Sequence, residues 1–256
     1  MKPHLPILLI LALSACSKSD YLDINGTDRP PLNAYISFVN ARTVPTGIQF
    51  WTFTRQITTT AVGINQASPY LPTTYGNVQI NFTEGSGTSY KASRQFGNSA
   101  AYTETGGPNG PIPDYYHTVF AASKKYDRSK DTLVLFYDDL RSAPAGKAKL
   151  RFVHFAWGIG DVQVKLRQHN NEVVLFQKVG YASAGGSNPA GAAYEIGPFT
   201  NVDAGTISLT ISANGQTIDI PALSGLQLEA GKAYTVLFHG ALNEKDIPGA
   251  SLISHQ

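Results

Sequence analysis

The sequence predicts an all-β protein built from two antiparallel β-sandwiches in tandem. Short apolar stretches that alternate with polar residues recur along the chain, as in residues 78–82 (VQINF), and this period is typical of half-buried strands. The 24 glycines and 15 prolines supply turns between short strands. The pattern of residues 34–40 also returns at 148–154, which indicates an internal repeat.

The repeat extends over several segments. The matching pairs are AYISFVN (34–40) with AKLRFVH (148–154), GIQF (47–50) with DVQV (161–164), GNVQI (76–80) with GTISL (205–209), and LVLFY (133–137) with TVLFH (235–239). The first two pairs share one offset of 114 residues, and the later offsets differ. Insertions in loops explain such differences because added loop length costs little free energy.

Composition excludes some classes of function. The 256 residues carry a formal net charge of +2, and only 15% are charged. This is not the basic footprint of a protein that binds nucleic acid.

The first 15 residues predict a lipoprotein signal peptide. One lysine precedes the apolar run 7–13, which is too short to span a bilayer. Leu13, Ser14, Ala15 and Cys16 resemble the lipobox of bacterial lipoproteins, in which the cysteine is lipidated. The alternative is an ordinary secretory leader with a chance cysteine. We expect Cys16 to anchor the protein to the bacterial outer membrane, facing the periplasm or the cell surface.

Residues 16–31 predict a flexible tether, whose start loosely resembles export tags of Bacteroidetes lipoproteins. Cys16 is the only cysteine, so we expect neither disulfides nor thiolate metal sites. We predict no cofactor.

The first sandwich is expected over residues 32–141. Strands are predicted at 35–39, 48–54 and 76–82, and a closing hairpin from 115–121 and 132–137. Residues 85–113, rich in Gly, Ser, Asn and Tyr, predict a loop.

The second sandwich is expected over residues 147–244. Asn214-Gly215 between two alternating segments predicts a hairpin, because a type I′ turn requires positive φ angles. Residues 245–256 are expected to form a C-terminal tail.

The second half resembles a known family. Residues 152–156 (FVHFA), 161–164 (DVQV), 202–209 (VDAGTISL) and 228–238 (LEAGKAYTVLF) together resemble the domain-of-unknown-function family 4397. The resemblance covers most of 147–240 and is weaker over 34–137, where Asn40 stands in place of His154 and Gly47 in place of Asp161. It implies a small β-sandwich module of bacterial envelope proteins, often in tandem, of immunoglobulin-like or transthyretin-like type. It implies no catalytic residues.

Histidines and aspartates are candidate metal ligands or catalytic groups. His154, His239 and Asp161 would bind a metal if their strands were neighbours, but the favoured alternative is local hydrogen bonding at a sheet end. His117 and His255 are expected at the surface. Asp127, Asp138 and Asp139 are expected to be solvated rather than calcium ligands.

Aromatic residues are the best candidates for ligand binding. Trp157 and loop tyrosines such as Tyr102, Tyr115 and Tyr116 are suited to stack on sugars or anchor an envelope protein. His154, three residues before Trp157, is a further candidate for ligand binding. The alternative is that these rings cap the sandwich ends or fill the interface between them. Trp51, in a strand, is expected to pack.

We therefore expect a non-enzymatic envelope lipoprotein that binds a ligand through its loops. The alternative is an envelope hydrolase acting on glycan or peptide. Ser251 lacks the second glycine of a nucleophile elbow, but two distant carboxylates would suffice for glycan cleavage.

Overall fold

The computed structural model describes residues 32–97, 110–188, 190, 195–242 and 247–255. In these ranges the regular structure is β-strand, with short 3-10 turns such as Pro221–Leu223 and no α-helix. The prediction of an all-β protein is confirmed. Four sheets form two β-rich regions across this described part of the chain.

The first region forms an inner and an outer sheet. Its strands are β1 (Ala34–Asn40), β2 (Ile48–Thr52), β3 (Arg55–Gln56), β4 (Leu71–Thr73), β5 (Val78–Glu84), β6 (Ala92–Phe96), β7 (Tyr116–Lys124) and β8 (Asp127–Asp138). The order in the inner sheet is β4-β1-β7-β8, and the order in the outer sheet is β3-β2-β5-β6.

The second region repeats this arrangement. Its strands are β9 (Lys147–His154), β10 (Val162–Gln168), β11 (Asn171–Val179), β12 (Ser183–Ala184), β13 (Thr200–Asp203), β14 (Gly205–Ala213), β15 (Gln216–Ile218), β16 (Leu226–Leu228), β17 (Ala233–His239) and β18 (Gly249–His255). The inner sheet is β12-β9-β17-β18 with β13 beside β9, and the outer sheet is β11-β10-β14-β15 with β16 beside β14.

The central strands of the inner sheets are buried on both faces. Every residue of β9 from Ala148 onward is buried, as are the central residues of β7 and β17. Their sequences are therefore nearly continuous apolar runs rather than alternating ones. The outer strands β2 and β10 alternate between buried and exposed positions, because only one face meets the core.

Two strand pairs contradict the expectation of purely antiparallel sheets. β1 pairs in parallel with β7, and β9 pairs in parallel with β17. Parallel neighbours need a long connection. In each region, most of the chain that connects the two parallel strands forms the outer sheet, and the chain then returns to the inner sheet.

The two regions share one order of strand pairing, and this order corrects part of the sequence alignment. β7 stands beside β1 as β17 stands beside β9, so β7 is the counterpart of β17 and β8 that of β18. Matching residues 133–137 to 235–239 was therefore wrong by one strand. The error arose because neighbouring buried strands have similar apolar sequences.

The two inner sheets pack face to face. Val39, Phe120 and Phe136 of the first region form one hydrophobic cluster with Val153, Phe155 and Leu237 of the second. The rings of Phe120 and Phe155 stack with centroids 4.9 Å apart. The chain from Asn33 onward accordingly forms one compact unit, rather than two independent sandwiches.

Three local predictions have clear outcomes. Asn214 and Gly215 have φ angles of 50° and 77°, so the predicted hairpin turn between β14 and β15 is confirmed. The expected loop at 85–113 contains β6, which pairs along β5. The expected tail contains β18, which pairs with all of β17 and completes the inner sheet.

Candidate functional site

Two charged side chains face each other between the inner sheets. Arg151 on β9 and Asp138 on β8 are fully buried, and Arg151 Nη1 lies 2.6 Å from Asp138 Oδ1. Burial of either ion alone would cost several kcal/mol of lost hydration, so each depends on the other. The Arg151 guanidinium also lies 4.4 Å from the centre of the Phe199 ring. The pair joins the first region to the second.

Tyr70, His255 and Thr235 form a second path between the same charges. Arg151 Nε donates to Thr235 Oγ1 over 3.1 Å, and Thr235 Oγ1 lies 2.8 Å from His255 Nε2. Tyr70 Oη lies 2.6 Å from His255 Nδ1 and 2.7 Å from Asp138 Oδ2. The hydrogen bonds therefore close a ring that starts and ends at the ion pair.

The hydrogen-bonding capacity of each group assigns the protons in this ring. A carboxylate only accepts, so the Tyr70 hydroxyl donates to Asp138. The Tyr70 oxygen then accepts from His255 Nδ1–H, and His255 Nε2 accepts from the Thr235 hydroxyl. His255 is thus a neutral imidazole with its proton on Nδ1.

The pKa values agree with this assignment. Burial lowers the pKa of His255 to about 4. Burial, followed by the charge of Asp138, raises the pKa of Tyr70 far above its ordinary value. Burial alone would raise the pKa of Asp138, but Arg151 and hydrogen bonds from Thr118 and Tyr70 outweigh it and hold that pKa below its ordinary value. Tyr70 therefore stays protonated and is a poor nucleophile.

An open cleft lies above this ring of hydrogen bonds. It has a volume of about 660 Å³, and its lining includes Tyr35, Tyr70 and Tyr116 of the first region and Ser254 and His255 of the second. The rings of Tyr35 and Tyr116 stack at 5.3 Å, and Tyr70 meets Tyr116 edge-on at 5.0 Å. We call this site the aromatic cleft. Its walls offer flat ring faces and hydroxyl groups together.

The predicted ligand-binding residues do not converge on one site. Tyr116 lines the aromatic cleft and is 39% exposed. Tyr115 lines a smaller cleft of about 380 Å³ together with Tyr137 and Arg141. Tyr102 lies outside the described residues, as does Cys16.

Trp157 lies at the contact between the two regions. Its Nε1 donates to the Lys124 carbonyl oxygen over 3.0 Å, and the Arg128 guanidinium lies 5.8 Å from the centre of the indole ring. The side chain is half-buried. This contact favours the alternative in which the ring fills the interface. Trp51 packs edge-on against Tyr90 in the outer sheet.

His154 makes its hydrogen bonds locally. Its Nε2 lies 3.0 Å from the Gly160 carbonyl oxygen, and its Nδ1 accepts from the Ala156 N–H. Asp161 instead pairs with Lys178 at 3.0 Å. Within the described ranges no cluster of His, Cys, Asp and Glu is arranged to hold a metal ion.

Three residues expected at the surface are buried. His117 is 1% exposed and accepts from the Ile112 N–H, and Asp138 and His255 belong to the ion-pair network. Strand alternation places these residues on the inner faces of packed sheets. Asp127 contacts the Ser129 and Lys130 side chains, and Asp139 pairs with Arg141 and with Lys149 of the second region.

Ser251 lies beside a histidine. Its Oγ is 3.1 Å from His239 Nε2, and burial lowers the pKa of His239 to about 4. Among the described residues no carboxylate contacts the other His239 nitrogen. Within the described ranges, the third group that orients the base in a catalytic triad is therefore not seen beside this pair.

The buried ion pair and its ring of hydrogen bonds were not predicted from the sequence. Arg151 stands in an apolar strand (KLRFVHF), and a charge within such a run is a usable signal because buried arginine needs a partner. Asp138, Tyr70 and His255 gave no comparable signal. They come from distant segments that only the packing of the two inner sheets brings together.

Comparison with known proteins gives one match. The family model described as a domain of unknown function, DUF4397, matches residues 34–165, which cover the first region and β9. The resemblance noted in the sequence was instead strongest over 147–240. No curated protein matches the chain. In the described part of the chain, no helix is long and apolar enough to cross a membrane.

Proposed function

The chain belongs to the DUF4397 family, and from this premise we propose that it is a non-catalytic envelope lipoprotein that binds a glycan. The aromatic cleft is the observation that carries the proposal. Stacked tyrosine rings offer apolar faces to the C–H faces of a sugar, while hydroxyl groups of Ser68 and Ser254 line the same space.

Two observations support binding rather than catalysis. The raised pKa of Tyr70 and the lowered pKa of His255 leave both groups neutral near pH 7. Both are also held in the hydrogen-bonded ring with Asp138. The groups at the floor of the cleft thus support the site rather than react.

We further propose that each region is one tandem copy of an immunoglobulin-like or transthyretin-like sandwich. The shared order of strand pairing supports this, including the parallel pairs β1–β7 and β9–β17. On this reading, both regions are copies of one family module, although the family model matches residues 34–165.

Tyr116→Ala is expected to weaken glycan binding about tenfold, because it removes one face of the stacked pair. The purified protein would first be screened on a glycan array, and affinity for the best ligand then measured by calorimetry. Tyr75→Ala is the matched control, since Tyr75 is similarly exposed (41%) and lies outside the cleft. Equal losses in both variants, or no glycan bound, would contradict the proposal. Cleavage of the bound glycan would favour the hydrolase alternative.

We propose that a lipid anchor on Cys16 holds the protein at the outer membrane of a bacterium of the Bacteroidetes. Cys16→Ser is expected to move the protein from the detergent phase to the aqueous phase, because acyl chains provide the membrane affinity. Ser14→Ala, two residues away, should leave partitioning unchanged. Detergent partitioning of Cys16→Ser would refute the anchor.

A further inference from the structure

A basic cleft lies at one side of the first region, where residues 42–44 and 91–94 meet the β7–β8 hairpin. Its volume is about 690 Å³. Its cationic lining residues are Arg42, Lys91, Arg94, Lys124, Arg128 and Lys130. Among the described residues that line the cleft, Glu84 and Asp131 are the acidic ones, so cationic side chains outnumber acidic ones there. Concentration of one sign of charge in a concave site raises the local concentration of ions of opposite sign.

Arg42 is the buried member of this cleft. Its side chain is 3% exposed, and it forms ion pairs with Glu84 and with Asp131, the latter at 3.1 Å from Nε. Lys91 Nζ also lies 3.1 Å from Glu84 Oε2. Glu84 and Asp131 are therefore paired with Arg42 and Lys91, and Lys130 pairs with Asp127 at 3.3 Å, while Lys124 lines both this cleft and its apolar neighbour.

The Nη1 group of Arg42 is buried without a hydrogen-bond partner among the described residues. An unpaired buried donor is costly, and most such groups in proteins are paired. An oxyanion in the cleft would supply the acceptor. The buried donor therefore indicates a ligand independently of the charge count.

An apolar cleft adjoins the basic one. It has a volume of about 600 Å³ and lies between the two regions, where Val134 and Phe136 of β8 face Tyr181, Ala182 and Ile196. Arg94, Lys124 and Thr132 line both clefts. The cations thus stand at the boundary between apolar and basic spaces, and the volume is within the roughly 300–1,000 Å³ of small-molecule sites.

We propose that the paired clefts bind an amphipathic anion, with its phosphate or carboxylate group in the basic cleft and its hydrocarbon body in the apolar cleft. Charge complementarity selects the head group, and burial of apolar surface selects the body. The site is separate from the aromatic cleft, which shares none of these lining residues. The same head-group chemistry exists in free inorganic phosphate, so the test must distinguish the two sources.

Calorimetry with the purified full-length protein at low salt provides the test. The probes are dodecyl phosphate below its micellar concentration, inorganic phosphate and dodecanol. We expect dodecyl phosphate to bind at least about tenfold more tightly than either of the others, and more weakly at 0.5 M salt, where charges are screened. Equal affinity for inorganic phosphate would overturn the role of the apolar cleft. Equal affinity for dodecanol would overturn the role of the cations.

Variants locate the binding site. Lys124→Gln, at the boundary of the two clefts, is expected to weaken dodecyl phosphate binding about fivefold, and Ile196→Gln is expected to weaken it similarly. Lys178→Gln is the charge-matched control, because Lys178 lies on β11 with a side chain 75% exposed and lines neither cleft. Unchanged affinity in both cleft variants, or an equal loss in the control, would overturn the proposed location even if the protein folds normally.

Discussion

Arg151→Met is expected to lower the free energy of unfolding by about 3–5 kcal/mol, the largest effect of any single substitution considered for this protein. Methionine fills much of the same space but leaves the Asp138 carboxylate, which is fully buried, without its counter-charge. It also removes the donor to Thr235 and so opens the ring of hydrogen bonds. Urea denaturation at pH 7.5 followed by tryptophan fluorescence would report both regions, since Trp51 lies in the first and Trp157 in the second.

A double-mutant cycle separates the ion pair from simple loss of packing. Asp138→Asn alone should also be strongly destabilising, but the double variant should cost at least about 2 kcal/mol less than the two single losses added together. Arg141→Met is the control, because Arg141 pairs with the adjacent Asp139 at 2.8 Å but is 88% exposed. That variant should leave the urea midpoint unchanged, because an exposed ion pair contributes little to stability. A loss below about 1 kcal/mol for Arg151→Met would contradict the role assigned to the pair.

Acidification is expected to destabilise the protein between about pH 6.5 and pH 4. Burial lowers the pKa values of His255 and His117 from 6.5 to about 4 in the folded state. Within that interval the unfolded chain binds a proton at each ring and the folded protein does not, so stability falls as the pH decreases. The slope is about 1.4 kcal/mol per pH unit for each histidine, or roughly 3 kcal/mol per histidine over the interval.

His255→Asn tests the contribution of one ring. An asparagine amide can still donate to Tyr70 but does not titrate, so the variant should lose stability at pH 7.5 and show a slope smaller by about 1.4 kcal/mol per pH unit. His169→Asn is the matched control. His169 is exposed with a φ of 48°, which asparagine also adopts, so this variant makes the same substitution away from the hydrogen-bonded ring. Unfolding curves at pH 7.5, 6.5, 5.5 and 4.5 would measure these slopes, and an unchanged slope in His255→Asn would refute a neutral His255.

Local patterns predicted the strands better than they predicted the sheets. The alternation in residues 78–82 and the Asn214-Gly215 turn correspond to β5 and to the β14–β15 hairpin. Pairing was less predictable, because β7, β17 and residues 133–136 of β8 are similar, largely apolar stretches whose sequences do not specify their neighbours. The strand β18 was missed since its exposed positions and the preceding proline made residues 247–255 look like a tail.

The aromatic cleft was predictable only in part. The exposure of Tyr116 follows from its place at the start of a strand after a loop, and the sequence identified it as a candidate. Tyr35 and Tyr70 join it because β4 pairs antiparallel with β1, while β7 lies on the other side of β1. Such a grouping depends on the order of the strands in the sheet, and residue spacing alone does not predict that order.

The sequence by itself determined the all-β class and the similarity of residues 34–40 to 148–154, because both depend on local patterns of residue type. Tertiary structure alone decided that the two regions pack through their inner sheets and that Arg151 meets Asp138 there. A buried charge requires its partner in space rather than along the chain, and the partner is therefore known only when the sheets are assembled.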